Sequence, residues 1–276
     1  IWSRKFNKAL KTITSLRNHC DFKYESDSKN AKEVKILNVV RPTIRTYVPG
    51  TAITREGATD GSMILKIDQF KYFNFEVDDV DKAQSVPGLM EELTEEASRG
   101  LSEEGDKYVA SLVKTGVEAE EDALAQSDSV VTLTKTNAVR TVEDGFAELY
   151  KNNCKVTDTF YFEVGPKPFT IYREALTELS TNNPEILKKG AVGKINNAYV
   201  CIENLLPTGK AQSSGPKDNV IYNILRTNKA IAFAEQINKV EAYRPQDAFS
   251  DAIKGLYTFG ALITRPQEIY VIKTAM

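Results

Sequence analysis

An α+β fold is what this sequence predicts, and three observations carry the prediction. Helix-period and strand-period segments follow one another without the regular alternation that builds a parallel, doubly wound sheet. The last quarter, "AIAFAEQINKVEAYRP", "IKGLYTFGALITRP" and "EIYVIKTA", reads as extended strands, so the chain ends in sheet. Hydrophobic residues at 41% and charged residues at 27% of 276 positions give the composition of a folded, soluble protein, which sets aside disorder and a membrane protein.

The opening segment places Trp2, Phe6, Ala9, Leu10, Ile13 and Leu16 three and four residues apart, the apolar stripe of a helix, with Arg4, Lys5, Lys8 and Lys11 elsewhere around it. It lacks a signal-type apolar core, and no window approaches the roughly 18 apolar residues of a membrane span. A terminal helix orders only when tied down, so an arm docked on protein is expected.

Two strand-like runs follow, "EVKILNVVRPTIRTYV" and "SMILKIDQFKYFNFEV", joined by the loop tip "PGTAITREGATDG". Together they predict one long β-hairpin. Each run has about sixteen residues, which at roughly 3.3 Å per residue reaches on the order of 50 Å. Both faces carry large apolar groups, among them Ile36, Val39, Ile44, Tyr47, Ile64, Ile67, Phe70, Phe73 and Phe75. A lone two-stranded ribbon of this kind is marginal, so a larger sheet or a neighbouring subunit must cover it.

The ribbon runs into Glu76, Asp78, Asp79 and Asp81. Asp79 and Asp81 have the first spacing of a calcium loop, but the glycine and distal glutamate at their required offsets are missing. Acids ahead of a helix interact favourably with its N-terminal dipole, so Asp78, Asp79 and Asp81 are expected to serve as hinge and helix cap. The helix itself is expected from Pro87 to about Lys114, with Leu89, Leu93, Ala97, Leu101, Tyr108, Val109 and Leu112 as its stripe. Its other face is acidic: Glu91, Glu92, Glu95, Glu96, Glu103 and Glu104.

A second helix is expected with Val139, Val142, Phe146 and Leu149 on one side. "TFYFEV" and "PFTIY" read as strands, a short helix follows around Glu174 to Leu179, and another begins at Pro184. "NAYVCIENLLP" and "NVIYNILR" are further strands, separated by the loop "TGKAQSSGPKDN".

Catalytic motifs do not emerge. Cys20, Cys154 and Cys201 are too far apart for a C-x-x-C site, and an odd count fits a reducing compartment better than a disulfide framework. His19 is the only histidine, which removes most nucleophile triads and any two-histidine metal site, and it is expected to be an ordinary solvated or core side chain. "GAVGK" and "PTGKA" lack phosphate-loop spacing, and G-x-G-x-x-G and G-x-S-x-G do not occur. No catalytic residue, cofactor or metal site is expected.

Charge is segregated along the chain. Residues 1–50 hold eleven Lys or Arg against four acids, a net of +7, and residues 76–128 hold four against sixteen, a net of −12. The basic block has few aromatics set among its cations as base-stacking platforms, so complementary blocks that meet within or between subunits are the simpler reading.

The order of parts, with the stretches "RPTIRTYVPGTAI", "IDQFKYFNFEVDDVDKAQ", "GAVGKINNAYVCIENLLP" and "AIAFAEQINKVEAYRPQDAFSDAIKGLYTFGALITRPQEIYVI", resembles the major capsid proteins of tailed bacteriophages. That is the Hong Kong ninety-seven fold, in the branch known simply as phage capsid protein. The resemblance implies an N-terminal arm over 1–32, an extended loop over 33–78 and a peripheral domain over 79–156 whose spine helix is 87–114. It further implies an axial domain over 157–238, and strands over 239–276 that return to the peripheral domain. It implies a non-catalytic subunit, without cofactor, that forms pentamers and hexamers of a closed icosahedral shell around double-stranded DNA contacted non-specifically. Its partners would be other copies, portal, scaffold and decoration proteins, with no membrane; it would reside in the virion, and in the host bacterial cytoplasm during assembly. Candidate inter-subunit contacts are Lys35, Arg41, Arg45 and Tyr47 against Glu92, Glu95, Glu96 and Glu103. The alternative within the same fold is an encapsulin-type shell around a cargo enzyme.

Overall fold

Two sheets share one long helix. The computed structural model describes residues 15–28, 31–37, 43–47, 49–50, 52, 61–78, 89–119, 124–178, 194–210 and 219–275. In chain order these form α1 (Glu25–Ser28), β1 (Glu33–Ile36), β2 (Met63–Lys66), β3 (Gln69–Asp78), α2 (Leu89–Glu118), β4 (Ala125–Gln126), α3 (Ala138–Lys151), β5 (Phe160–Val164) and α4 (Pro166–Glu178). There follow β6 (Lys194–Ile195), β7 (Ala198–Ile202), β8 (Thr208–Lys210), β9 (Asn219–Thr227), β10 (Ile231–Tyr243), β11 (Ser250–Ile263) and β12 (Ile269–Ala275). The α+β expectation holds in this mixed order, and the three strands expected in the last quarter are β10, β11 and β12.

The small sheet has the order β10-β11-β3, antiparallel throughout. The large sheet has the order β4-β12-β9-β5-β7-β6, with β8 pairing β9. Helix α2 spans 30 residues, about 45 Å at 1.5 Å per residue, and ends four residues beyond the expected Lys114. Its buried line is Leu101, Val109, Val113 and Val117, spaced by fours and eights, as a helix requires to present one face. That line packs with Phe233, Tyr257 and Phe259 of the small sheet and Ile224 and Val271 of the large one in a shared core.

Strand alternation gives the large sheet its second face. Leu225 and Ile272, each next in sequence to a residue of the shared core, turn the other way and join Phe160 and Phe162 under α3 and α4. Helix α3 buries Val142, Phe146 and Leu149 there, as its period predicts.

The structure differs from the sequence expectation in three places. First, the long hairpin is not one ribbon. Among the described residues β1 and β2 pair over four positions, Glu33↔Lys66 to Ile36↔Met63, and residues 43–47 form no strand. Residues 69–78 pair with β11 instead, from Gln69↔Phe259 to Asp78↔Ser250. The physical reason is visible at two glycines. A Cβ on Gly255 would collide with the Phe73 ring, and one on Gly260 would collide with the Lys66 carbonyl oxygen, so β11 is shaped to receive both β3 and the end of β2. Gly260→Ala is expected to lower stability by about 1–3 kcal/mol through this overpacking, seen as a lower urea midpoint at unchanged slope; an unchanged midpoint would refute the close approach.

Second, "PFTIY" is helical, inside α4. Its β-branched and aromatic residues look strand-like, but Phe169, Tyr172, Ala175 and Leu176 bury one helical face, and tertiary packing overrides local preference. Third, β12 does not return to β10 and β11. It pairs with β9 from Ile269↔Arg226 to Ala275↔Val220, within the sheet of the 157–238 segment. Asp78, expected as hinge and cap, is the last residue of β3, and the residues that follow it up to Leu89 lie outside the described ones. The arm helix expected over residues 2–13, Arg41, Asp79, Asp81, Pro87, the loop tip over 53–60 and the helix expected at Pro184 lie outside the described residues.

Candidate functional site

The small sheet has one face against α2; the other is covered by the β1–β2 root at one end and open at the other. Residues directly opposite on paired strands point to the same side. Phe70 and Tyr72 of β3, at 62% and 78% exposure, therefore share a side with Thr258 and Leu256 of β11 and, across Leu256, with Lys239 of β10; Thr258 is buried, so the open part of the face runs through Tyr72, Leu256 and Lys239. Tyr72 and Leu256 floor a shallow groove of about 390 Å³ whose rim holds Lys239, Glu241 and Lys254. Glu241 pairs with Lys239 and, at 3.5 Å, with Lys254, while the Tyr243 hydroxyl hydrogen-bonds Asn74 at 3.0 Å. β3 is also an edge of its sheet. An apolar floor with a polar rim beside an open strand edge is the chemistry of a protein-docking surface.

The β1–β2 ribbon is anchored at its root. Val34, Ile36 and Leu65 pack on Ala232 and Ala234 of β10. Beyond that root the chain offers apolar groups to solvent: Leu37, Ile44 at 81% exposure, and Tyr47.

A second, buried constellation seats residues 15–22 between α2 and both sheets. Glu163 of β5 and Arg226 of β9, both wholly buried, form an ion pair through Nη2 at 2.7 Å and Nε at 3.0 Å. Arg226 also donates to the carbonyls of Leu16 at 2.7 Å and His19 at 3.2 Å, so one guanidinium holds the segment by its backbone. His19 Nδ1 lies 2.9 Å from Glu163, and its ring stacks on Tyr161 at 4.0 Å. Burial opposes the imidazolium charge, but the contacts with Cys201 and Glu163 outweigh it and raise the His19 pKa to about 9. Burial likewise works against the Glu163 carboxylate, yet the Arg226 charge beside it holds its pKa below the usual range.

Around this centre Asp106 of α2 accepts from the Arg17 amide at 2.7 Å, and Arg17 Nη1 reaches both the Tyr257 hydroxyl and Glu235. Glu203 accepts from the Ser15 amide at 2.9 Å and from its hydroxyl. The backbone closes the seat: the Asp21 amide donates to Ile231 and the Phe233 amide donates to Asp21. Among the described residues no group of three or more His, Cys, Asp or Glu could hold a metal ion.

The residues expected to make contacts are differently placed. Lys35 lies on the exposed face of β1, and Arg45 and Tyr47 are exposed beyond the ribbon root. Glu96 and Glu103 both pair with Arg99 of their own helix, three and four residues away, and Glu92 and Glu95 lie nearby on that helix. Sequence reasoning missed Lys71, whose ammonium reaches Glu104 at 3.4 Å; with Lys107, the nearer donor, it holds the Glu104 carboxyl below its usual range. It also missed the seat of residues 15–22, and read His19 as unremarkable. The only available signal was the acid and base placed at mid-strand, Glu163 in "TFYFEV" and Arg226 in "NVIYNILR", where a charge is buried only if paired.

No family model and no curated protein matches the chain. Solved structures do. A chain of Mycobacterium phage Che8 is similar at 24% identity and a TM-score of 0.84, covering 99% of this chain and 95% of that one. The capsid of the cyanophage P-SCSP1u matches at 15% identity and TM-score 0.79, covering 100% and 92%. The mature capsid of bacteriophage PhiM1 matches at 14% identity and TM-score 0.71, covering 99% and 91%. The chain therefore has the fold of bacteriophage capsid structures, over essentially its whole length.

Proposed function

We propose that this chain is the major capsid protein of a tailed phage or prophage. It tiles a closed icosahedral head as pentamers and hexamers around double-stranded DNA, and it makes and breaks no bonds. The single observation that carries this reading is the full-length fold likeness to phage capsid structures. The open face of the small sheet supports it: Phe70, Tyr72 and Leu256 are left to solvent in one chain and need a partner.

That partner is a second copy. Its ribbon, carrying Leu37, Ile44 and Tyr47, lies across the small sheet and α2, in the manner of the extended loop in the Hong Kong ninety-seven fold. In this reading α2 is the spine helix of the peripheral domain, the small sheet belongs with it, and the large sheet with α3 and α4 is the axial domain. Portal, scaffold and decoration proteins are the further partners, and the virion is the location, reached through the host cytoplasm.

Lys35, Arg41, Arg45 and Tyr47 of one copy meet Glu92, Glu95, Glu96 and Glu103 of the next. Since Arg99 already pairs with Glu96 and Glu103, the incoming cations extend a charge network and do not neutralise an empty acid row. Each exposed pair contributes about 0.2–1 kcal/mol, so the set acts through register and repetition. Raising salt to about 1 M shortens the screening length to roughly 3 Å and is expected to slow assembly or loosen shells, read as falling scattered intensity at constant protein concentration. Assembly indifferent to salt would count against the charged contact.

A further inference from the structure

The segment over residues 15–22 is a strap. It touches α2 through Asp106, the large sheet through Glu163, Arg226 and Tyr161, and the small sheet through the backbone of β10 and the Tyr257 hydroxyl. Leu16 and Cys20 sit in the apolar core that these three bodies share, and around them the strap is held by hydrogen bonds to Glu163, Glu203, Asp106 and Arg226. We propose that residues 15–22 form a proton-operated latch, seated while His19 and the Glu203 carboxyl hold their protons, and released from between the helix and the two sheets as those protons leave.

The arrangement of charges around the latch supports this. His19 faces Glu163 and Cys201, with Arg226 on the far side of the same carboxylate. Protonated, it gives the buried Glu163 a second cation. Neutral, it keeps a hydrogen bond at most, and Glu163 is left to Arg226. Among the described residues Glu203 accepts from the amide and hydroxyl of Ser15, bonds that favour its carboxylate, while burial first, and then the charges of Glu163 and Asp106, oppose its ionisation. Ionised, it sets a third carboxylate against the strap, beside Glu163 and Asp106, with no cation among its contacts with the described residues. Arg17 is committed elsewhere, to Tyr257 and Glu235. Cys20 is buried under Arg226, and burial, the largest influence on it, raises its thiol pKa and keeps it neutral. On the exposed side Asp21 pairs with Lys23.

Both titrations push the same way. His19 rises from an ordinary 6.5 to about 9, so its stabilisation is complete below about 6.5 and lost as pH climbs through 9. Glu203 rises from 4.5 to about 7, chiefly by burial, so the seated state binds that proton more tightly than the released one. Seating is therefore weakened between 4.5 and 7 on account of Glu203 and between 6.5 and 9 on account of His19. Glu163, whose pKa is lowered, sets the acid limit: protonating it in strong acid removes the anion that Arg226 and His19 share.

This latch belongs to the chain's own fold and does not depend on the shell reading. It is tested by hydrogen–deuterium exchange on the full chain at pH 5.5, 7 and 9, with intrinsic rates divided out. Protection of peptides covering residues 15–22 is expected to fall at least tenfold from pH 5.5 to 9, while peptides from β9 keep theirs. His19→Gln should remove the fall above pH 7, and Glu203→Gln the fall below it. Should one variant fail to fold, the other and the wild type still decide. Protection of 15–22 that is flat across pH in the wild type, or an unaltered pH profile in a folded variant, would overturn the proposal.

Discussion

Glu163→Ala is expected to destabilise the folded chain by about 3–5 kcal/mol, because it strands a buried guanidinium without its counter-charge. Glu163 and Arg226 are both at 0% exposure, so the pair compensates each charge away from bulk solvent. The same guanidinium holds the carbonyls of Leu16 and His19, so losing its orientation unseats residues 15–22 as well. Replacing both partners, Glu163→Leu with Arg226→Met, should recover part of the loss, since a well-packed apolar pair avoids the stranded charge. The urea midpoint, followed by circular dichroism, measures both effects. A single variant within about 0.5 kcal/mol of the wild type would show that the pair does not organise the seat.

The second large effect concerns assembly and leaves folding alone. Phe70→Asp combined with Tyr72→Asp puts two charges on the open face of the small sheet. Both side chains are exposed in the single chain, so each change should move its stability by no more than about 0.5 kcal/mol. In the proposed shell a neighbouring copy covers those positions, and burying one large apolar side chain is worth about 1.5–3 kcal/mol per copy, repeated over every contact. The expected result is a normally folded subunit that no longer forms large particles, read by an unchanged circular dichroism spectrum alongside light scattering. Particles of normal size from the double variant would exclude this face from the interface.

Much of the fold was legible because its strongest signals are periodic. The helix α2 with Leu101 and Val109 in its buried line, the apolar line of α3 at Val142, Phe146 and Leu149, and the three closing strands follow from residue spacing, whereas Leu93 of the expected α2 stripe is exposed and Val113 and Val117 were not expected in it. What the sequence hid was partnership. "QFKYFNFEVD" reads as a strand, but alternation gives no hint that its partner is "SDAIKGLYTF", about 180 residues later, rather than the run just before it. Gly255 makes that pairing possible and Gly260 admits the end of β2, but a glycine in a strand signals close approach without naming what approaches. The seat of residues 15–22 was hidden for the same reason: its two anchors, Glu163 and Arg226, lie 63 positions apart and meet only across β5 and β9. His19 could not be read as special, because its neighbours Tyr161, Glu163 and Cys201 are contributed by strands far along the chain.

A cryo-electron microscopy map of the purified full-length protein tests the central claim most directly. The account predicts closed icosahedral shells in which Phe70, Tyr72 and Leu256 are covered by a neighbouring copy, with Ile44 and Tyr47 buried on that neighbour. Small particles under all assembly conditions, or shells in which this face stays open to solvent, would contradict it.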